Sequence, residues 1–227
     1  MIIDDERSAR AELKRMTSVF PELQLVGEAA NADEAEVLIS IQKPELLFLD
    51  IQMPERSGFD LLSSLDHVPY VIFTTAFDQY AVKAFEVNAL DYLLKPIRSE
   101  RLSLAVAKIQ AKLSTAQFPV HRIFVKDKDS YHFVSWDKVY LVESMDNYAK
   151  LFFEDKSVLF KSSLNQLQNK LDIRQFFRCN RAQLVNLNFI AQISTNSSSK
   201  ITILLQSGEK VELSERQSAK FRAINKV

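Results

Sequence analysis

The chain has 227 residues and an apolar share of 47%, enough for one or two domains with true cores. It has no run near the roughly 18–20 apolar residues of a membrane helix and no signal peptide's basic-then-apolar start, and its single cysteine, Cys179, cannot form an internal disulfide, so a soluble cytoplasmic protein is expected. The net charge of zero hides an asymmetry: residues 1–117 hold 12 Lys+Arg against 18 Asp+Glu (−6), and residues 118–227 hold 17 against 11 (+6), which suits metal and phosphate chemistry in the first half and a polyanion partner for the second.

In chain order, residues 1–3 are apolar and end in Asp4-Asp5. A strand usually runs five or six residues, so the recorded start is expected to fall a residue or two short of the native one. Residues 8–19, with Phe20 next after them, carry Leu13, Met16, Val19 and Phe20 at helical spacing. Residues 23–26 read as a short strand, and 32–41 as a helix with Ala35, Leu38 and Ile39 inward. The run 46–49 is continuously apolar, as in a strand buried on both faces, and it ends in Asp50. Pro54 and Gly58 mark the loop that follows. A short helix is expected over 59–65, a strand over 70–73 ending in Thr74-Thr75, and a helix over 79–87. Asn88 then occupies a turn, a residue that tolerates the left-handed conformation. A strand over 92–94 ends in Lys95-Pro96, and a helix over 100–113 buries Leu102, Val106, Ile109 and Leu113. Strands alternating with helices indicate a doubly wound parallel sheet of the α/β class.

Four of these apolar runs terminate in polar groups, which places the groups along one rim of the sheet. Asp4, Asp5 and Asp50 repel one another unless a hard cation such as Mg²⁺ neutralises them. Asp50 can then attack phosphorus as a carboxylate, already ionised at neutral pH, with no general base. Lys95 supplies a point charge for the transferred group and Thr75 a hydroxyl donor. The plainer reading has Asp50 capping the next turn and Lys95 in a surface pair, but four strand ends agreeing in order and type favour phosphoryl chemistry.

Residues 1–113 resemble the receiver domain of bacterial two-component response regulators. The matching pieces are Asp4-Asp5-Glu6, Leu49-Asp50-Ile-Gln-Met-Pro54 with Gly58, Thr75-Ala76, and Asp91-Tyr92-Leu-Leu-Lys95-Pro96. The resemblance implies five strands in the order 2-1-3-4-5, a cis Lys95-Pro96 bond, and Asp50 as acceptor of a phosphoryl group from a histidine kinase. It implies Mg²⁺ held by Asp5, Asp50 and the Gln52 carbonyl, with Asp4 acting through water. Thr75 and Tyr92 would be the switch pair: Thr75 moves to the phosphoryl group and Tyr92 turns into the space it leaves. Receiver domains generally dimerise through the face built by 79–87, 91–94 and 100–113, so a homodimer is implied on phosphorylation.

Small and polar residues with Pro119 make 114–121 a short linker. From 122 onward the pattern changes. Residues 123–126 and 131–134 flank Asp127-Lys-Asp-Ser130 as a hairpin. Further strands are expected over 139–143, 148–153, 158–161, 182–187, 189–194, 201–206 and 210–213, with helices only over 163–172 and 214–225. That makes residues 122–227 a mainly antiparallel all-β domain without a helix-turn-helix pair. Tyr148 and Phe176-Phe177 are expected in its core.

This half resembles the LytTR domain, the β-rich DNA-binding module of LytR/AgrA-type regulators. The resemblance rests on Val142-Glu-Ser144 with Asn147-Tyr148, Phe176-Phe177-Arg178-Cys-Asn180-Arg181, Leu184-Val185-Asn186 and Leu213-Ser214-Glu-Arg216, while Asn180 and Glu215 depart from the family's usual basic or His character. It implies double-stranded DNA as partner. Cations for phosphates and planar donors for base edges select Arg181 and Arg216 for base contact, with Asn147 and Lys150 beside them. Arg178 and Lys161 are expected to position the DNA backbone, unless Arg178 pairs with an internal acid. The combined expectation is a phosphorylation-switched transcription regulator rather than an enzyme. Two alternatives are an output domain that binds a protein, and an aspartyl-phosphate hydrolase; such hydrolases often place a second Asp two residues after the nucleophile, where this chain has Gln52.

Overall fold

The computed structural model describes residues 1–76, 89–115, 122–128, 130–196 and 200–225. The helix expected over 79–87, Asn88 and most of the linker lie outside them. The chain divides into two compact units, Met1–Trp136 and Asp137–Val227.

The first unit is a five-stranded parallel sheet in the order β2-β1-β3-β4-β5, as expected. Its strands are β1 (Ile2–Ile3), β2 (Glu28–Ala29), β3 (Leu46–Asp50), β4 (Tyr70–Thr75) and β5 (Asp91–Leu94). Successive side chains point to opposite faces, so one run feeds two cores. Ile2, Phe48, Ile72 and Leu93 meet Leu13 of α1 (Arg7–Thr17) and Leu102, Val106 and Ile109 of α4 (Ser99–Thr115). Ile3, Leu47, Leu49, Val71 and Phe73 meet Ala35 and Ile39 of α2 (Ala32–Gln42) and Phe59, Leu61 and Leu62 of α3 (Gly58–Ser64). Burial on both sides is why residues 46–49 carry no polar residue.

Three local expectations are corrected. Residues 23–26 are not a strand: the sheet-edge ladder starts at Glu28, and Leu25 and Val26 are each 36% exposed. Val19 lies past the end of α1 and is exposed. Leu113 is also exposed, because the core-facing stripe of α4 ends at Ile109.

The hairpin of β6 (Arg122–Asp127) and β7 (Ser130–Ser135), which the sequence groups with the second domain, packs in the first unit. Phe59, Phe124 and Tyr131 stack, with ring centroids 4.7–5.9 Å apart, and Phe59 also meets Phe73 edge-on at 5.1 Å. The Val68 N–H donates to the Arg122 carbonyl at 2.9 Å, and the Arg122 guanidinium lies 4.0 Å over the Tyr70 ring. Tyr131→Ala should therefore destabilise this unit by about 2 kcal/mol in urea unfolding. Unchanged stability would mean that the hairpin does not rest on α3.

The second unit holds two antiparallel sheets, β10-β9-β8-β12-β11 and β13-β14-β15. The first contains β8 (Val139–Met145), β9 (Tyr148–Phe153), β10 (Lys156–Phe160), β11 (Phe176–Arg178) and β12 (Gln183–Asn186). The second contains β13 (Ile190–Thr195), β14 (Ile201–Leu205) and β15 (Lys210–Glu212). Helices α5 (Leu164–Lys170) and α6 (Glu215–Asn225) match the two expected, and Ser163 and Gln166 form a capping box at the start of α5. Leu141, Phe177, Val185, Ile203, Leu205 and Phe221 share one core. Among the described residues no helix is long and apolar enough to cross a membrane.

Candidate functional site

Asp50 closes β3 at the C-terminal edge of the first sheet and is almost fully buried. Gln52 N–H donates to its Oδ1 at 3.1 Å, and Lys95 Nζ lies 2.7 Å from its Oδ2. The same ammonium stands 2.8 Å from Oδ2 of Asp4, which is wholly buried and accepts at Oδ1 from Glu6 N–H at 3.0 Å. Lys95 is delivered by the end of β5, where its N–H donates to the Thr75 carbonyl at 2.8 Å and its bond to Pro96 is cis. Arg10 Nη1 braces the other rim, donating to the Asp4 carbonyl at 2.6 Å and to that of Asp5 at 3.1 Å.

Electrostatics follow from burial. Desolvation raises the Asp50 carboxyl above its ordinary value; Lys95 and the Gln52 N–H oppose that shift and Asp4 adds to it. Burial works to lower Lys95, yet its hydrogen bonds to Asp4 and Asp50 outweigh burial and its net shift is upward. One oxygen from each of Asp4, Asp5 and Asp50 lies within 4.8 Å of the others. Three carboxylates against one ammonium leave two negative charges uncompensated, and the donors are hard oxygens, so the set fits Mg²⁺. Asp5, Asp50, Gln52, Thr75 and Lys95 line one open cleft beside α1, and Asp4 does not. Thr75 is buried at the end of β4, and Tyr92 lies inward, 8% exposed. The expected rim residues are therefore brought together.

The β-rich unit gathers a second group. Phe160 pairs with Ala149, Ala149 with Ser144, and Ser144 N–H donates to the Ala182 carbonyl at 2.8 Å. That row crosses the sheet near one end, so Lys161, the 146–147 turn and the 179–182 loop emerge together there. Ser214 N–H donates to the Cys179 carbonyl at 3.0 Å, which brings the start of α6, with Arg216, to the same loop. Lys161, Asn147, Arg181 and Arg216 are exposed. Lys150 is half-buried, with Nζ 4.9 Å from the Phe152 ring centroid, and Glu143 faces it across the ladder. Among the described residues Arg178 has no carboxylate partner: it donates from Nε to the Asn180 carbonyl and from Nη2 to that of Arg181, both at 2.5 Å. Phe176 and Phe177 are buried as expected.

Tyr148, expected in the core, is 43% exposed, beside Met145 at 51%. The inward positions of β9 are Ala149, Leu151 and Phe153, and strand alternation turns Tyr148 outward. That parity was readable from the strand itself, so Tyr148 is an exposed aromatic at this end of the sheet that residue type alone misplaced.

Comparison with known proteins finds a family for each part of the chain. The family model described as response regulator receiver domain matches residues 1–107, and that of the LytTr DNA-binding domain matches residues 129–226. The chain is 33% identical over 233 residues to the sensory transduction protein LytT of Enterococcus faecalis, covering 98% of this chain and 96% of that one. It is 34% identical over 236 residues to the transcriptional regulatory protein BtsR of Salmonella typhi, covering 95% and 94% respectively. Among solved structures, the response regulatory domain of protein mrkE from Klebsiella pneumoniae is 31% identical and covers 51% of this chain and 98% of its own, with a TM-score of 0.44.

Proposed function

The chain belongs to the response regulators that join a receiver domain to a LytTR DNA-binding domain, and from that membership we propose that phosphorylation of Asp50 by a sensor histidine kinase switches its binding to promoter DNA. Such a regulator is not a classical enzyme, and DNA and a sensor kinase are its general partners. The observation that carries the proposal is Lys95, 2.7 Å from Asp50 and 2.8 Å from Asp4 at the mouth of an open cleft.

In the transfer, a carboxylate oxygen of Asp50 forms a bond to phosphorus as the N–P bond of phosphohistidine breaks, and the imidazole nitrogen keeps the electron pair. Lys95 is placed to follow the charge onto the phosphoryl oxygens, and the Thr75 hydroxyl to donate to one of them. Asp5, Asp50 and the Gln52 carbonyl would hold Mg²⁺ directly. Asp4 would act through water, since its oxygens already serve Glu6 and Lys95 and it does not line the cleft. When bound, the dication offsets the charge of the clustered carboxylates and the phosphoryl group.

Thr75 and Tyr92 form the switch, and the buried Tyr92 here occupies the inward position. The face of β5 and α4 then pairs two copies, aligning two β-rich units on half-sites about one helical turn (roughly 10 bp) or a multiple apart. Arg181 and Arg216 read base edges, with Asn147 and Lys150 beside them, and Lys161 positions the DNA backbone. A coupling of about 1–3 kcal/mol is sufficient for a several-fold change in occupancy.

A footprint on fragmented genomic DNA tests this, with and without a small-molecule phosphodonor and Mg²⁺. Two protected direct repeats, tightened by the donor in the wild type and not in Asp50→Asn, are expected. Protection indifferent to the donor removes the switch. No protection at low salt removes the DNA reading and turns attention to a protein partner.

A further inference from the structure

Arg178, half-buried, shares the basic character of this end of the sheet, but its guanidinium is engaged by the protein's own loop. Its Nε and Nη2 hold two successive loop carbonyls, those of Asn180 and Arg181, each at 2.5 Å, and its Nη1 donates to Asn165 Oδ1 at 3.4 Å. Asn180 is equally occupied. Its Oδ1 accepts from Ala182 N–H at 2.8 Å, and its Nδ2 donates to Gln183 Oε1 and to the Glu212 carbonyl, both at 2.9 Å. Gln183 in turn donates to Glu143 Oε1 at 2.8 Å. Around Arg181, then, the neighbouring polar side chains are spent on fixing backbone, while Arg181 itself is exposed.

We propose that Arg178 and Asn180 are positioning residues that hold the 179–182 loop in one conformation and lash it to β15, so that Arg181 is presented in a fixed place beside Arg216. The inference rests on the DNA-binding reading above and gives these two residues a part in it without DNA contact. The physical gain is preorganisation: ordering a free backbone costs roughly 1–2 kcal/mol per residue, and a loop already ordered by carbonyl clamps does not meet that cost on binding. A planar fork of donors suits two neighbouring carbonyls as a lysine ammonium does not. The Asn180 bond to the Glu212 carbonyl and the Ser214 bond to the Cys179 carbonyl join the segments carrying Arg181 and Arg216.

The test is selection of binding sites by the full chain from a pool of random-sequence duplexes, for wild type, R178Q, N180A and R181A. The salt dependence of binding to unselected duplex is measured alongside. R181A should lose preference at one or two positions of the selected motif. R178Q and N180A should lose it at those same positions, with affinity for the wild-type motif down about ten-fold and the salt slope unchanged. A slope reduced by about 0.9 in R178Q means that its guanidinium neutralises a phosphate, and overturns the clamp. Selection of the wild-type motif by both R178Q and N180A, while R181A loses it, overturns it too. If R178Q does not fold, N180A decides alone, since it removes the tether without removing a charge. R181A selecting the wild-type motif takes away the premise that Arg181 reads DNA, and a wild type that selects no motif sinks the DNA-binding reading itself.

Discussion

Asp50→Asn is expected to abolish labelling by a small-molecule phosphodonor and, at neutral pH without divalent cations, to melt above the wild type. The first effect is chemical, because a neutral amide does not replace a carboxylate nucleophile. The second follows from linkage. Burial raises the Asp50 carboxyl above its ordinary value, so in the folded protein it keeps its proton to higher pH than in the unfolded chain. Stability therefore falls as pH rises from the unfolded value through the folded one, and above that window the full penalty is present. Asn removes the ionised group, leaves an acceptor for Gln52 N–H, and leaves Lys95 its pair with Asp4. Added Mg²⁺ should close the gap by stabilising the folded wild type selectively. Thermal melts of both proteins with and without Mg²⁺ check this. A mutant that melts lower would show that the Lys95–Asp50 pair outweighs the desolvation of Asp50, and labelling of the mutant would point to another acceptor.

Gly58→Ala should cost roughly 2–4 kcal/mol and slow phosphorylation of Asp50 although it leaves every charged group in place. A Cβ at Gly58 would lie 2.4 Å from the Asp50 carbonyl oxygen and 3.1 Å from Leu49 Cγ. The first is backbone of the strand that carries Asp50, and Gly58 N–H is tied to the Ile51 carbonyl at 2.9 Å. Relief therefore has to come from moving α3 or the end of β3. Gly208→Ala is the contrasting control: its φ of +97° is strained for alanine, but nothing lies within 4 Å of the new atom. It should cost about 1 kcal/mol through the backbone alone and leave labelling unchanged. Urea unfolding and labelling rates of both variants separate the two mechanisms. Wild-type labelling in Gly58→Ala would mean that the loop yields without displacing Asp50.

Much of the first site was legible because its determinants are local. An apolar run that ends in a carboxylate, a threonine pair or a lysine states where the strand stops and what stands at its end. Strand-helix alternation then places Asp4, Asp50, Thr75 and Lys95 on one rim of a parallel sheet. The charge difference between the halves likewise pointed to two chemistries. Local pattern misled where an edge or parity decides. Residues 23–26 look like a strand but lie just outside the ladder, and Tyr148 has the character of a core residue on the outward side of β9.

The sequence by itself determined the class of each fold, the order of the strands' polar ends and the carboxylate that closes β3, since each depends on composition and period over a few neighbouring residues. Only the tertiary structure decided which partner each group takes. Phe124 and Tyr131 stack on Phe59, Arg178 serves two loop carbonyls, and Gly58 has no room for a side chain. These contacts bring together groups from separate segments or depend on how a loop closes back on itself, and neither is written in the periodicity of a single strand.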